Sequence, residues 1–273
     1  LITRRIEKIW GRRALGLGFA DAPENGEPIG EIWYEGEDGA PDDLLVKYLF
    51  TSEKLSVQVH PDDDQARARG HRSGKEECWL ILDAEPGATL GIGLRETVDG
   101  AGLRAAALDG SIEAMLDWKP VATGDVFYLQ AGTIHAIGSG VTLVEIQQNI
   151  DLTYRLYDYG RPRELHLDAA IAVARPGPWS APNARREVKA GRAILAEGRK
   201  FVVEHWEGTQ AGQLLPPDDR PIWIVPLAGA GSIDGQALMP GDVWIADTAG
   251  PLSFEGELLI AYPGGEVAPT ILG

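Results

Sequence analysis

A glutamine, a glutamate and two histidines are spaced along this chain so that, once its strands pair, they can hold one divalent metal ion. In residues 55–61, Leu55, Val57 and Val59 fall on one face and Ser56, Gln58 and His60 on the other, which is the alternation of a β-strand. On their own, Gln58 and His60 read as the wet face of an amphipathic strand. Glu77 shifts that balance, because it lies between Lys75 and the apolar run 78–82, which reads as a second, more buried strand. His135 follows the turn signal Ala131, Gly132, Thr133, just beyond the apolar segment 126–129. A Gln/His/Glu/His set offers mixed nitrogen and oxygen donors, which suit a borderline ion such as zinc. Gln58, His60, Glu77 and His135 are therefore the candidate metal ligands, for one Zn2+ per chain. Glu76 leaves a ligand assignment one residue away, but alternation favours Glu77, which shares a face with Lys75.

The elements that must position these residues are short strands separated by glycine turns. Segments 29–34 and 44–50 read as strands joined by a turn-rich stretch, 35–43. Residues 126–129 and 141–146 read as two more, on either side of the His135 loop, and 88–92 as a short one. Residues 97–116 form the clearest helical region, split at Gly110 with Ser111 as N-cap of its second part. Residues 61–69 suggest a short helix or loop, and a short helix is expected around 167–173. The pattern points to an antiparallel barrel or sandwich with a helical insertion, not to a parallel α/β sheet. From residue 194 onward short strands and turns resume. Asp242, Val243, Trp244 after Pro240 and Gly241 weakly repeat Asp125, Val126, Phe127 after Thr123 and Gly124.

Composition narrows the function classes. The chain has 273 residues with 44% hydrophobic and 24% charged side chains, enough for a substantial core. The formal net charge of −16 disfavours a nucleic-acid partner, which needs a basic surface. An anionic ligand can still bind if basic side chains are concentrated in a pocket. No apolar run approaches the roughly 20 residues that span a bilayer, and the first residues lack a secretory h-region, so a cytoplasmic protein without membrane contact is expected. The single cysteine, Cys78, adjoins Trp79 in an apolar strand and reads as a buried structural thiol. His71 reads as solvated and His205 as structural.

Four motifs together carry a resemblance: 55–63, the Lys75 to Trp79 segment, the Gly132 to Gly138 segment, and Glu145 to Arg155. They resemble, in order and with plausible gaps, the type I phosphomannose isomerases in their short bacterial form, over about residues 10–158. The resemblance implies a mainly β fold of two cupin-type antiparallel β-barrels (jelly rolls), the second degenerate. It divides the chain into a catalytic cupin, 1–160, with a helical insertion at about 97–117, then a linker with a short helix, 161–185, and a degenerate cupin, 186–273. Trp223, Ile224, Val243 and Trp244 are then expected to fill the second barrel. The implied activity is interconversion of mannose 6-phosphate and fructose 6-phosphate by a monomer or homodimer. Another metal-dependent cupin enzyme and a non-catalytic sugar-phosphate-binding cupin are the alternatives.

Within that reading Arg155, flanked by apolar residues, matches the family's catalytic arginine, and its rigid donor fork suits a phosphate or an enediolate oxygen. Lys75 matches a family lysine on the face of Glu77. Glu145 and Asp151 match acidic positions, and a carboxylate beside a cation has a lowered pKa and can accept a proton. Glu145 and Lys75 join Arg155 as catalytic candidates, with a base of depressed pKa at Lys75 as the rival to the carboxylates. Lys47, a snorkelling surface lysine on another reading, joins Ser56 and Asp151 as substrate-binding candidates.

Overall fold

The structure, a computed structural model, describes residues 1–36, 43–181, 185–217 and 220–273. Most of the turn expected at 35–43, and Pro182 in the linker, lie outside the described residues. In chain order come β1 (Ile2–Arg12), β2 (Ile29–Glu35), β3 (Leu44–Phe50), β4 (Val57–Val59), α1 (Asp63–Arg67), β5 (Glu77–Ala84) and β6 (Thr89–Leu94). Then follow α2 (Gly100–Asp109), α3 (Ile112–Met115), β7 (Leu116–Pro120), β8 (Val126–Leu129), β9 (His135–Ile137), β10 (Val141–Gln148), β11 (Tyr154–Tyr157) and α4 (Leu167–Val173). The last part is all strand: β12 (Arg186–Lys189), β13 (Arg192–Glu197), β14 (Phe201–Leu214), β15 (Ile222–Ile233), β16 (Gln236–Leu238), β17 (Trp244–Ala246) and β18 (Gly250–Pro263). No described helix is long and apolar enough to cross a bilayer.

Three antiparallel sheets result. The first runs β1-β2-β3-β10-β5-β8, the second β11-β4-β9-β6-β7, and the third β12-β13-β14-β18-β15-β16 with β17 against β15. Alternation along each strand decides what lies between them. On β5, Trp79 and Ile81 meet Leu90, Ile92 and Ile137 of the second sheet, whereas Cys78 and Leu80 point the other way, toward Leu195, Phe201 and Trp223 of the third. On the far side of the second sheet, Val57, Val59 and Tyr154 pack on Leu103 and Ala107 of α2 and Ala170 of α4. The layers are thus helices, second sheet, first sheet, third sheet.

The sheets are not closed into barrels. The first ends at β1 and β8, the second at β11 and β7, and face-to-face packing around Trp79 holds the two together. Alternation tells which side chains face inward but not whether the outermost strands pair, so a closed jelly roll and an open sandwich share one signature. The edge strand β1, absent from the sequence reading, carries Arg4, Arg5, Lys8 and Arg12, charges that blunt an open edge.

The third sheet differs most from expectation. Its strands β14 and β18 each run 14 residues, paired throughout. Glycines sit inside the paired strands β15 and β18, where backbones come too close for a side chain: a Cβ at Gly229 would lie 2.0 Å from Glu255 O, and one at Gly256 2.1 Å from Ala228 O. Trp223, Ile224, Val243 and Trp244 do not share one interior. Trp223 and Val243 face the first sheet, while Ile224 and Trp244 belong to a separate cluster with Trp206 and Tyr262. That cluster surrounds Glu204, which accepts from Arg192 Nε (2.5 Å) and Nη2 (2.7 Å), Trp206 Nε1 (2.8 Å) and Tyr262 Oη (2.6 Å).

The helical insertion divides at Gly110, whose φ of 83° is left-handed. Asp99 caps α2 by accepting from Gly102 N. Ser111 precedes α3 but makes no side-chain cap bond, because its backbone is already helical (φ −64°, ψ −15°) and a capping hydroxyl needs the extended conformation.

Candidate active site

Strand register assembles the site at one end of the space between the first two sheets. Glu145 of β10 lies opposite Lys47 of β3, and Gln147 opposite Glu77 of β5. In the second sheet Gln58 of β4 lies opposite His135 of β9 on one side and Arg155 of β11 on the other. The same inward faces that are apolar around Trp79 therefore turn polar at Lys47, Glu77 and Glu145.

His60, Glu77 and His135 are buried together, with donor atoms all within 4.8 Å of one another. His60 Nδ1 lies 2.8 Å from Leu152 O and His135 Nδ1 2.9 Å from Thr133 O. Carbonyl oxygens only accept, so both imidazoles carry the proton on Nδ1 and turn an Nε2 lone pair to Glu77. Those lone pairs lie 3.6 Å from Glu77 Oε2 and 3.1 Å from Oε1. Neither carboxylate oxygen nor His60 Nε2 has a partner in hydrogen-bonding geometry, although the Lys75 ammonium stands 2.8 Å from Oε2. Acceptors facing acceptors at such distances, out of water, fit a cation between them. Gln58 contributes its side-chain amide, whose Nε2 stands 3.2 Å from His135 Nε2. Rotating that amide by half a turn would offer Oε1 instead.

The ionisation states agree with this role. Burial and the charge on Lys75 push His60 down to about 4, so the imidazole is neutral and free to ligate. Burial works against the Glu77 charge, yet the Lys75 ammonium, 2.8 Å from Oε2, holds its carboxyl well below the ordinary range. The Glu76 carboxylate points away and accepts from Tyr128 Oη at 2.5 Å, leaving Glu77 as the inward-facing acid.

In front of this group lies a cavity of about 150 Å3, lined by Lys47, Ser56, Gln58, Lys75, Glu145, Asp151 and Arg155 among others. Lys75 Nζ is 2.8 Å from Glu77 Oε2 and 3.5 Å from Glu145 Oε1. Burial disfavours its charge, but Glu145 and Glu77 outweigh that and raise its pKa, so in this arrangement Lys75 is an ammonium rather than a depressed base. Glu145 Oε2 accepts from Trp79 Nε1 at 2.9 Å and Oε1 lies 3.5 Å from Lys47 Nζ. Burial nevertheless dominates and raises the Glu145 carboxyl above its ordinary value, contrary to the lowering expected of a carboxylate beside cations. Lys47 is buried, its ammonium 4.1 Å from the centre of the Trp33 ring, and does not snorkel. Asp151 is exposed at the mouth. Arg155 is half-buried, with Nε donating to Glu164 O at 3.0 Å.

Sequence reasoning missed Lys8, Glu31, Trp33 and Arg163, which also line the cavity. Glu31 and Trp33 enter because β2 pairs with β3, setting Trp33 opposite Lys47, and Lys8 because β1 pairs in turn with β2. A signal existed, since alternation in 29–34 puts Glu31 and Trp33 on one face, opposite Ile32 and Tyr34. A larger cavity, about 620 Å3, lies between the first and third sheets among Phe19, Tyr48, Leu80 and Leu227; it is mostly apolar, and the convergence of charged groups is in the smaller one.

No family model matches the chain. The mannose-6-phosphate isomerase of Streptococcus mutans is 35% identical over 231 residues, covering 80% of this chain and 72% of that protein. The mannose-6-phosphate isomerase ManA of Bacillus subtilis is 42% identical over 137 residues, 48% of this chain and 43% of the other. Among solved structures, the mannose 6-phosphate isomerase from Bacillus subtilis superposes with a TM-score of 0.81 at 25% identity, over 95% of this chain and 98% of that one. Sequence kinship over most of both chains, with the same layered architecture, gives the conclusion: the chain belongs to the type I phosphomannose isomerase family.

Proposed function

We propose that this chain is an aldose–ketose isomerase that interconverts mannose 6-phosphate and fructose 6-phosphate. The observation that carries the reading is the juxtaposition, in one cavity, of a buried His60/Glu77/His135 group with the Lys75–Glu145 pair and a cationic rim. The ligand set is Gln58, His60, Glu77 and His135, and zinc is the ion its mixed donors suit. A divalent ion there supplies Lewis acidity to the sugar's carbonyl and hydroxyl oxygens.

The chain's own groups supply the rest. Glu145, its carboxyl raised by burial and held by Trp79, takes the proton from C2 of the aldose and returns it to C1, while the hydroxyl proton passes from O2 to O1. A carboxyl raised toward neutrality suits both taking and returning a proton. Lys75, as an ammonium, stabilises negative charge developing on the same oxygens. Arg155 stabilises the enediolate or grips the phosphate, and Lys47, Ser56 and Asp151 orient the sugar. The cavity lining carries Lys8, Lys47, Lys75, Arg155 and Arg163 against Glu31, Glu145 and Asp151, a local excess of cations that supports an anionic substrate in a protein of net charge −16.

The division of labour that goes with this reading is a catalytic part, residues 1–160, a connection, 161–185, and a supporting part, 186–273. The enzyme works as a monomer or homodimer in the cytoplasm, where its single buried thiol, Cys78, stays reduced. The test is a coupled assay of fructose 6-phosphate formation from mannose 6-phosphate, with and without chelator. Turnover lost to chelator and restored by a divalent ion is expected; turnover indifferent to both would remove the metal from the reading.

A further inference from the structure

The first and third sheets meet largely through apolar side chains, and a polar chain of contacts links the third sheet to the loop that follows β4. The turn between β13 and β14, residues 198–200, reaches the loop that joins His60 to Glu77. Lys200 Nζ lies 2.6 Å from Asp63 Oδ2. The other oxygen, Asp63 Oδ1, accepts from Gly74 N at 2.9 Å and from Gln148 Nε2 at 3.0 Å. Gln148 Oε1 in turn accepts from Glu76 N at 3.0 Å, and Gln148 N donates to Glu76 O at 3.1 Å. Lys75 N closes the loop on Pro61 O at 3.0 Å. The two ends of the 61–76 loop are thus tied by a backbone bond and by the Asp63 carboxylate, whose Oδ2 also lies 3.4 Å from Arg67 Nη2, and both ends adjoin metal-ligand candidates.

The approach of the turn is tight. Tyr128, which donates to Glu76, packs against Phe201 with ring centres 5.3 Å apart and planes tilted by 49°, and a Cβ at Gly198 would fall 2.0 Å from the Tyr128 hydroxyl. The Asp63 carboxyl, despite partial burial that raises it, is brought down to about 2 by Lys200, Gln148 and Gly74, so it is ionised throughout the working range.

We propose that Lys200 is a positioning residue: through Asp63, Gln148 and Gly74 it fixes the loop that sets the distance between His60 on the second sheet and Glu77 on the first. The third sheet, which contributes none of the proposed ligands, would thereby act on the geometry of the centre. The proposal rests on the metal reading above. The Lys200–Asp63 pair is part-open to water, and an exposed ion pair stabilises a fold only slightly. Its loss should therefore leave the melting temperature close to the parent's while loosening the site. Groups that orient metal ligands from outside commonly change metal affinity about 10–100-fold.

The test uses the full chain loaded with Co2+, with affinity read by chelator competition and ligand geometry by the visible absorption of the bound ion. Lys200→Met should weaken Co2+ binding by about tenfold or more, alter the absorption band and lower kcat more than it raises KM. Lys200→Arg, which keeps a cation within reach of Asp63, should recover most of the loss. Asp63→Asn should give the same deficit, and the double variant no more than either single one. Unchanged Co2+ affinity and spectrum in folded Lys200→Met, or additive losses in the double variant, would overturn the proposal. Should Lys200→Met not fold, Asp63→Asn and Lys200→Arg carry the same comparison. A parent protein that binds no Co2+ would instead defeat the metal reading itself.

Discussion

Replacing Arg155 with lysine tests the chemistry most sharply, because it changes geometry while keeping charge. Arg155 stands on β11 opposite Gln58, and its side chain is anchored at Nε by Glu164 O at 3.0 Å. Its backbone is pinned as well: the amide donates to His166 Nδ1 at 3.1 Å and the carbonyl accepts from His166 N at 2.8 Å. With Nε engaged, the guanidinium plane is fixed and its two terminal nitrogens are left to serve the cavity. Lysine reaches into the same cavity with one rotatable ammonium, losing the anchor and the planar fork. If the fork stabilises charge that develops in the transition state, losing it should cost about 2.7–4 kcal/mol, or 10²–10³ in kcat/KM. Stability should change by no more than about 1 kcal/mol, the worth of a single hydrogen bond. Steady-state kinetics on mannose 6-phosphate, with metal content and melting temperature measured on the same preparation, separates the outcomes. A fall in kcat with metal and stability intact is expected. A rise in KM alone would make Arg155 a phosphate anchor that binds ground and transition states equally. Near-parental kinetics would refute the assignment and leave a half-buried surface arginine.

Three further outcomes follow from the same geometry. His135→Ala removes one of the two Nε2 lone pairs facing Glu77 and should cost most of the bound metal, as read by elemental analysis; unchanged stoichiometry would exclude it as a ligand. Glu204→Ala leaves Arg192 buried without its carboxylate, and breaking such a pair costs about 3–5 kcal/mol. Denaturant unfolding should show that loss, and a change below about 1 kcal/mol would mean the pair contributes no more than an exposed one. Because the Asp63 carboxyl sits at about 2 in the folded chain, below the usual carboxylate value of about 3.9, the unfolded state binds more protons between those values. Stability from this group is thus complete above about pH 4 and is lost as pH falls toward 2. Between pH 5 and 3 the parent should lose urea resistance more steeply than Asp63→Asn, and parallel slopes would contradict the linkage.

What the sequence disclosed, and what it hid, divides along a physical line. Alternation located β4 and set Lys75 and Glu77 on the same side, and apolar runs bounded by turns located β2, β3, β5, β8 and β10, since both are local properties of extended backbone. Sheet closure, strand length in the third sheet and the entry of Glu31 and Trp33 into the site are decided by pairing between distant segments. No local period encodes them. The short strands expected from residue 194 onward turned out long for a related reason: a glycine that permits a turn and one that permits two backbones to touch, as at Gly229 and Gly256, look alike until the neighbouring strand is known.

The same division explains why Ser56 and Gln58 line a cavity and His60 is buried beside it. Read from one end to the other, the inward positions of β5 are Glu77, Trp79 and Ile81, and those of β10, running the opposite way, are Gln147, Glu145, Leu143 and Val141. At one end these faces bury Trp79 against Leu90 and Ile92. At the other they present carboxylates to His60, His135 and Lys75. One layer is therefore both core and site, with Trp79 at the junction, its indole edge to the His135 ring and its N–H on Glu145. A site continuous with close-packed core can hold its groups without large motion, because neighbouring side chains leave them no other rotamer. The side chains proposed to meet a mobile substrate, Arg155 and Asp151, sit instead at the outer lip, half-buried and exposed.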